Sequence, residues 1–286
     1  MPQTISTGKS RVEQFKKVVW SHYAAHRRSF PWRERAEEMT DDDWVYRVII
    51  SEIMLQQTQA PRVVEKFNSF IKKFPNFPAL ARAPLKKVLV EWQGLGYNRR
   101  GLYLKQAAEI IQKRYTGKVP RTKVELVELP GIGPHTAGSI LAFAFNLAEP
   151  FIETNIRTVY IHFFFKNKKA VSDEKIYPLV ARTIDQTKPR EWFSALMDYG
   201  VHLKQLARQS QKSDPAKRSK HYKKQTQFKG SNRELRAHLL RKILNRPLHV
   251  TDAKQTDLTN LAALEREGFI TPVSYTHLTL PTNREV

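Results

Sequence analysis

Residues 129–138 read LPGIGPHTAG and lie between two segments with helical spacing of apolar residues. The preceding KVELVEL predicts a short helix. Pro134 suits the first position of the next helix, because the N–H that proline lacks would be unpaired there anyway. Gly131 and Gly133 flank Ile132 in a tight turn. The stretch therefore predicts two helices joined by a glycine hairpin.

A hairpin of this kind is suited to binding phosphate. Its turn exposes backbone N–H groups, and the start of the following helix adds the positive end of a dipole. We therefore place Gly131, Gly133, His135 and Thr136 at a phosphate-binding site. The alternative is an ordinary tight connection between two core helices.

Composition narrows the class of protein. The chain has 286 residues, 41% of them hydrophobic, and a formal net charge of +22. Such an excess of positive charge predicts a polyanionic partner, and nucleic acid is favoured over an acidic membrane surface. The chain has no cysteine, which excludes disulfides, thiol nucleophiles, thiolate zinc sites and cysteine-ligated iron–sulfur clusters.

The N-terminal ten residues lack the apolar stretch of a signal peptide, and no apolar run approaches the ~20 residues that span a bilayer. We therefore expect no membrane association. We expect a cytoplasmic protein of prokaryotic type, associated with the nucleoid.

Helical periodicity predicts an all-α protein built from a series of short helices. Residues 203–230 differ, because nine Lys or Arg residues accompany a single acid, Asp214. This segment is either a basic loop on a nucleic-acid-binding face or a solvated linker. Residues 231–272 predict three short helices and a turn, compatible with a small winged-helix-like module.

The last fourteen residues, VSYTHLTLPTNREV at 273–286, have a different character. They resemble translated sequencing-adapter sequence. We therefore expect a non-native tail, exclude it from the fold prediction, and expect the natural C-terminal module to continue beyond this point.

Two further stretches accompany the hairpin: SEIMLQQTQ at residues 51–59 and PFIETNIRTVYIHFF at residues 150–164. With these motifs in this order, the chain resembles DNA glycosylases of the helix-hairpin-helix (HhH-GPD) superfamily that includes endonuclease III. It is most similar to the A/G-specific adenine glycosylases, the MutY type. The resemblance extends from FPWRE, at Phe30, to MDYGVHL, which ends at residue 203.

The resemblance implies two helical lobes with a DNA cleft between them. One lobe would comprise residues 30–139 and contain the hairpin. The other would join residues 1–29 to 140–230, with the basic loop in place of the cluster region, and residues 231–272 would follow as a truncated module. This arrangement would bring Glu52 and Glu153 to opposite sides of the cleft of a monomer bound to mismatched or damaged double-stranded DNA.

The resemblance also assigns the reaction. Glu52 matches the family's general acid, which protonates the adenine; such a carboxyl needs the raised pKa that an apolar setting provides. Glu153 takes the position of an aspartate that stabilises the positive sugar as the glycosidic bond breaks. Asn155 matches an asparagine that holds the water and the sugar. The alternatives are an exposed helix glutamate at position 52 and altered chemistry at position 153.

Because glutamate caps helices less well than aspartate, we expect Thr154 to cap the helix that follows Glu153. His135 takes the position where bifunctional relatives carry a Schiff-base lysine. Histidine forms no stable imine, so we predict a monofunctional enzyme.

Gln57 and Thr58 match residues that wedge into the duplex and contact the base opposite the target, while the target base leaves the stack. Leu55 lies beside them. Tyr97, in the loop GLGYNRR, matches a second DNA-contacting position, although Asn98 replaces a stacking tyrosine. Trp32 and Arg33 match the wall of the adenine pocket. For Trp32 taken alone, a place in the core is the simpler interpretation.

The chain departs from the family in two ways. Adenine glycosylases usually hold a four-cysteine iron–sulfur cluster after the stretch equivalent to MDYGVHL, and they usually carry a Nudix-like module that senses 8-oxoguanine. Neither is recognisable here, so we expect no cofactor, with an alkali cation at the hairpin left open. Two other functions also stay open: a thymine or uracil glycosylase acting opposite guanine, and a catalytically impaired protein that binds DNA lesions.

Overall fold

The computed structural model describes residues 8–211, 213–224, 226–246, 248–249, 255–274 and 277–279. Helices account for most of them, which confirms the predicted all-α class. They are α1 Gly8–His26, α2 Asp41–Leu55, α3 Ala60–Lys73, α4 Phe77–Arg82, α5 Leu85–Trp92, α6 Arg99–Tyr115, α7 Lys123–Val127, α8 Pro134–Phe143, α9 Thr154–Phe164, α10 Asp173–Thr183, α11 Pro189–Gln209, the 3-10 helix Pro215–Arg218, α12 Asn232–Asn245 and α13 Gln255–Arg266.

Helix α2 illustrates how the sequence defines an element. The side chain of Thr40 accepts a hydrogen bond from the backbone N–H of Asp43 and caps the helix, and acidic residues occupy its first turn, where the dipole favours them. Apolar side chains, among them Ile49, Ile50 and Ile53, then bury most of the helix. This buried helix supplies the rigid setting for the SEIMLQQ motif.

The chain divides into two compact units. The first consists of the described parts of Met1–Phe30, Arg121–Lys123 and Gly133–Lys224. The second consists of the described parts of Pro31–Pro120, Val124–Ile132 and Gln225–Val286. The four-part division drawn from the sequence, and the cleft that would bring Glu52 and Glu153 together, stay predictions.

An aromatic cluster forms the core of the first unit. Phe15 of α1 lies with its ring centre 5.3 Å from that of Tyr160 in α9 and 5.7 Å from that of Trp192 in α11. All three side chains are buried. This packing fixes the start of α9, where Glu153 lies.

The core of the second unit is centred on α2, α3 and α6. Phe67 and Phe70 of α3 are completely buried, and the hydroxyl of Tyr46 donates to the carbonyl oxygen of Phe74 at 2.5 Å. Burial raises the pKa of Tyr46, so this hydroxyl keeps its proton and its hydrogen bond.

The C-terminal segment differs from the prediction of three helices and a turn. Its described residues contain α12 and α13 together with three short strands, β1 Leu248–His249, β2 Thr271–Ser274 and β3 His277–Thr279. Both partners of β3 are antiparallel to it, in the order β1-β3-β2. Residues 250–254 lie outside the described residues. Strands this short contain too few residues to show a two-residue alternation.

Part of the stretch that we excluded as a non-native tail belongs to this sheet. Leu278 pairs with Leu248 and is buried with Leu240, Leu244 and Phe269. Leaving the tail out of the fold prediction therefore removed the central strand. The origin of residues 273–286 stays a prediction, and 275–276 and 280–286 lie outside the described residues.

Within the described residues, no helix is both long enough and apolar enough to cross a lipid bilayer.

Candidate active site and nucleic-acid interface

The glycine hairpin forms between α7 and α8, as predicted. Gly131 adopts a left-handed φ of 80°, and a Cβ atom added there would lie 3.0 Å from the Cβ of Tyr103. Both observations require glycine at this position. The carbonyl oxygen of Gly131 accepts a hydrogen bond from Nε2 of Gln56 at 3.0 Å, so the turn is tied to the end of the SEIMLQQ motif.

Gly133 has no such structural requirement. It precedes α8 with a φ of −87°, which any residue adopts, and nothing lies within 4 Å of a Cβ built on it. The residue is exposed. Its lack of a side chain therefore leaves space beside the first turn of α8.

His135, in the first turn of α8, lines a cavity of about 380 Å³ together with Lys123, Asp173 and Tyr177. Desolvation lowers the pKa of His135, and the carboxylate of Asp173 acts in the opposite direction. That carboxylate accepts two hydrogen bonds of 2.6 Å from Arg157. Thr136 follows His135, and its carbonyl oxygen accepts from the hydroxyl of Ser139 at 2.9 Å.

Glu153 is the N-cap of α9, so the expectation that Thr154 takes this role was wrong. One oxygen of Glu153, Oε1, accepts from the backbone N–H groups of Asn155 at 2.6 Å and Ile156 at 3.0 Å. The extra methylene lets the carboxylate fold back over the helix start, where the dipole stabilises its charge. The other oxygen, Oε2, accepts from Nδ2 of Asn155 at 3.3 Å.

The side chain of Asn155 has a second partner, which the sequence analysis missed. Its Oδ1 accepts a hydrogen bond of 2.7 Å from Nζ of Lys204 in α11. Burial lowers the pKa of Lys204, and Glu153 acts in the opposite direction. In the sequence Lys204 is one of many lysines in a basic stretch, and no motif distinguishes it.

Glu52 lies in α2 and is half-buried, between the buried residues Ser51 and Ile53. A role of Glu52 as the general acid stays a prediction. Leu55 ends the same helix and is also partly exposed.

Gln57 and Thr58 follow α2 in a short loop. Gln57 is exposed and adopts a left-handed φ of 55°. The hydroxyl of Thr58 donates to the carbonyl oxygen of Leu95 at 3.1 Å. The loop is therefore joined to the GLGYNRR loop within the second unit.

Arg100 forms hydrogen bonds with both loops, and the motifs in the sequence did not predict this role. Its Nη1 donates to the carbonyl oxygens of Ile53 and Met54, both at 2.8 Å. Its Nη2 donates to the hydroxyl of Thr58 at 2.9 Å and to the carbonyl oxygen of Leu95 at 3.1 Å. Burial lowers the pKa of Arg100 to about 10, so the guanidinium remains charged at neutral pH.

Tyr97 is held in this loop with a left-handed φ of 47°, and its side chain is 38% exposed. Its ring lies between two guanidinium groups, with Arg100 at 5.6 Å and Arg233 of α12 at 5.5 Å from the ring centre. The predicted DNA-contacting tyrosine is therefore in contact with the C-terminal segment.

Trp32 and Arg33 differ from each other in burial. Trp32 is 7% exposed and meets the ring of Phe67 edge-on at 5.4 Å, which agrees with the simpler interpretation of a core tryptophan. Arg33 is half-exposed. A base-contacting role for either residue stays a prediction.

Residues 50–185 match the model of the HhH-GPD superfamily of base excision DNA repair proteins. The matched stretch contains Glu52, the hairpin and Glu153. The match covers 136 of the 286 residues, so the chain is similar to this superfamily over nearly half of its length.

Proteins named adenine DNA glycosylase are similar to this chain. That of Buchnera aphidicola subsp. Baizongia pistaciae is 36% identical over 186 residues, covering 64% of this chain and 50% of the relative. The human protein is 33% identical over 197 residues, covering 67% of this chain and 36% of the relative. The chain thus spans half or less of the length of these two relatives.

Solved structures also match this chain. A thermostable thymine-DNA glycosylase matches with a TM-score of 0.60 and 25% identity, covering 68% of this chain and 87% of the other. A trapped covalent complex of endonuclease III with DNA matches with a TM-score of 0.55 and 15% identity, covering 67% and 86%. The latter likeness concerns the fold alone.

The chain does not fit the four-cysteine cluster that adenine glycosylases usually hold. The chain has no thiolate to bind one. Side chains hold the segment after α11 instead: Asp214 caps the 3-10 helix, and Arg218 donates to the carbonyl oxygens of Phe165 and Lys166 at the end of α9. Among the described residues, no group of three or more His, Asp and Glu side chains is arranged to hold a metal ion.

Proposed function

We propose that this chain is a monofunctional DNA glycosylase of base excision repair, which hydrolyses the N-glycosidic bond of adenine opposite guanine or 8-oxoguanine. One observation carries the proposal: the half-buried carboxylate of Glu153 is fixed at the start of α9 with the Asn155 amide beside it. That is what the stabilisation of a positive sugar requires. The choice of adenine as the substrate rests on the relatives named adenine DNA glycosylase.

The proposed reaction uses side chains and water. Glu52 donates a proton to the adenine, and the bond between C1′ and the base breaks with its electron pair leaving on the base. Glu153 stabilises the positive charge that develops on the sugar. A water molecule held by Asn155 then adds to C1′ and releases a proton.

The substrate is double-stranded DNA bound by a monomer, and the net charge of +22 supports this partner. The exposed Gly133, with Gly131, His135 and Thr136, would receive a backbone phosphate at the hairpin. Leu55, Gln57, Thr58 and Tyr97 would fill the space that a flipped base leaves. Trp32 and Arg33 would border the base pocket. We assign the protein to the cytoplasm.

No cofactor takes part in the proposed reaction. An alkali cation at the hairpin would strengthen phosphate binding, and it would make the affinity for DNA differ between potassium and lithium buffers of equal ionic strength. Equal affinities in the two buffers would contradict the presence of an alkali cation at the hairpin.

The test is single-turnover release of free base from four duplexes, with A opposite 8-oxoguanine, A opposite G, T opposite G and U opposite G. Glu52→Gln and Glu153→Ala are measured beside the wild type, with Glu65→Gln, on the exposed face of α3, as the control. Adenine release that is lost in both site variants and kept in the control would support the proposal. No release from any duplex, with DNA binding retained, would instead indicate a protein that only binds lesions.

A second candidate is a thymine or uracil glycosylase acting opposite guanine. The thermostable thymine-DNA glycosylase, at 25% identity over 87% of its own length, favours it. Release from the T or U duplexes alone would decide for this candidate.

A further inference from the structure

Helix α11 meets the start of α9 at Gly200. A Cβ atom at Gly200 would lie 2.6 Å from the Cβ atom and the carbonyl oxygen of Asn155, so the helices approach more closely than any other residue would allow. Lys204 lies one turn further along α11. The close approach brings Nζ of Lys204 to 2.7 Å from Oδ1 of Asn155.

This contact determines how the Asn155 amide is turned. An ammonium group has three donors and no acceptor, so it can face only the oxygen of the amide. The nitrogen of the amide then faces Glu153, to which it donates at 3.3 Å. With the amide reversed, its oxygen would meet the carboxylate and its N–H groups would meet the ammonium, and both contacts would be repulsive.

Charged groups surround the ammonium on each side. Burial lowers the pKa of Lys204, and the carboxylates of Glu153 and Asp214 oppose this shift. Arg208 and Arg157 lower the pKa further. Lys204 therefore loses its proton at a lower pH than an ordinary lysine does.

We propose that Lys204 is a positioning residue for the glycosylase reaction, which turns the Asn155 amide so that its N–H groups face Glu153 and its oxygen is fixed. The inference rests on the proposed function. Lys204, a residue of α11, thus orients the Asn155 amide that would hold the attacking water.

The experiment compares the wild type with Lys204→Met and Lys204→Arg. The control is Lys188→Met, which removes an exposed lysine at the start of the same helix. Single-turnover adenine release at saturating enzyme is followed from neutral to alkaline pH. Side-chain amide NMR signals of Asn155 are recorded without DNA. If Lys204→Met does not fold, Lys204→Gln, whose amide both donates and accepts, takes its place.

We expect Lys204→Met to slow base release by about tenfold, the equivalent of one charge-assisted hydrogen bond, and to shift the Asn155 amide signals. Lys204→Arg should restore most of the rate. It should also reduce the alkaline decline of the wild type, because arginine keeps its charge there, while loss of the Glu52 proton still lowers the rate. Lys188→Met should match the wild type throughout.

Three results would overturn the inference: a wild-type rate in Lys204→Met, an alkaline decline unchanged in Lys204→Arg, or Asn155 amide signals that do not move. If the wild type itself releases no base, the proposed glycosylase function fails. In that case the NMR comparison alone decides whether Lys204 orients Asn155.

Discussion

Arg233 of α12 donates from Nη1 to the hydroxyl of Tyr97 at 2.7 Å, and its guanidinium lies over the same ring. Its other nitrogen, Nη2, donates to the carbonyl oxygen and the hydroxyl of Thr226. The C-terminal segment thus fixes the conformation of a loop that we propose contacts DNA.

Arg233→Ala should lower the affinity for duplex DNA, because an unsupported Tyr97 must be ordered on binding. A cation–π contact at an exposed site contributes about 0.5–1 kcal/mol, so we expect an affinity loss of about fivefold. Tyr97→Phe should lose part of this, and the double variant should lose less than the sum. Fluorescence anisotropy measures the affinities, and Arg241→Ala, exposed on the same helix, is the control. Additive losses would show that the two side chains act separately.

Arg100→Met should destabilise the second unit strongly. The substitution leaves the carbonyl oxygens of Ile53 and Met54 without the donor that Arg100 supplies, and each such group costs about 1–3 kcal/mol. We expect a free energy of unfolding lower by about 3 kcal/mol or more in urea denaturation. Arg62→Met, which removes an exposed arginine of α3, should change it little. A small loss in Arg100→Met would mean that water satisfies these carbonyls.

Glu153→Gln should separate the capping role of Glu153 from its charge. The amide oxygen can still accept from the N–H groups of Asn155 and Ile156, so the free energy of unfolding should fall by only about 1 kcal/mol. Base release should fall by about 10²-fold or more, since the charge that would stabilise the sugar is gone. Denaturant unfolding and single-turnover rates check both. If the rate of base release fell only as far as the loss of folded protein explains, Glu153 would have no catalytic role.

Two glycine substitutions, one at the hairpin and one within α8, should have different effects. Gly133→Ala places a Cβ where nothing lies within 4 Å, so we expect unchanged thermal stability but weaker DNA binding. Gly138→Ala places a Cβ 2.5 Å from that of Phe151 and should cost about 1–3 kcal/mol of stability. If Gly133→Ala binds DNA as the wild type does, the hairpin does not receive a phosphate.

His22 should make the first unit sensitive to acid. Its ring stacks with His26 at 4.7 Å and lies 4.5 Å from that of His202. Burial and these two rings lower the pKa of His22, while Asp198 acts to raise it. The unfolded chain, with a histidine pKa of about 6.5, therefore takes up the proton first.

The stability from a neutral His22 is complete above that pKa and is lost as the pH falls through about 6.5 toward the lower folded value. His22→Gln should show a smaller drop in melting temperature between about pH 7.5 and about pH 5.5. His238→Gln, at an exposed position, should keep the full drop. An unchanged drop in His22→Gln would place the acid sensitivity elsewhere.

The helices and the hairpin could be predicted because their signals are local. Pro134 and Gly131 carry conformational requirements that are visible in the sequence itself, and the structure has them where they were expected. The cap of α9 could not be predicted from propensity, because the length of the Glu153 side chain decides which N–H groups it reaches. The sheet of the C-terminal segment was missed because its strands contain two to four residues.

The residues that support the site could not be predicted from the sequence, for a different reason. Arg100 acts on carbonyl oxygens some 47 residues away in the chain, and Lys204 meets an amide 49 residues away. Carbonyl acceptors leave no mark in a sequence, so such partners emerge only once the helices are packed. The motifs thus indicate where chemistry would occur, and the fold indicates what holds the groups in place.

The way in which Asp214 and Arg218 close the segment after α11 bears on how the protein is assembled in the cell. Val171 and Ser219 form a parallel bridge there, and Arg218 covers the carbonyl end of α9. None of these groups has to be delivered, loaded or kept reduced. This part of the protein is therefore held by side chains and backbone groups of the chain itself, and its folding should not depend on the supply of iron.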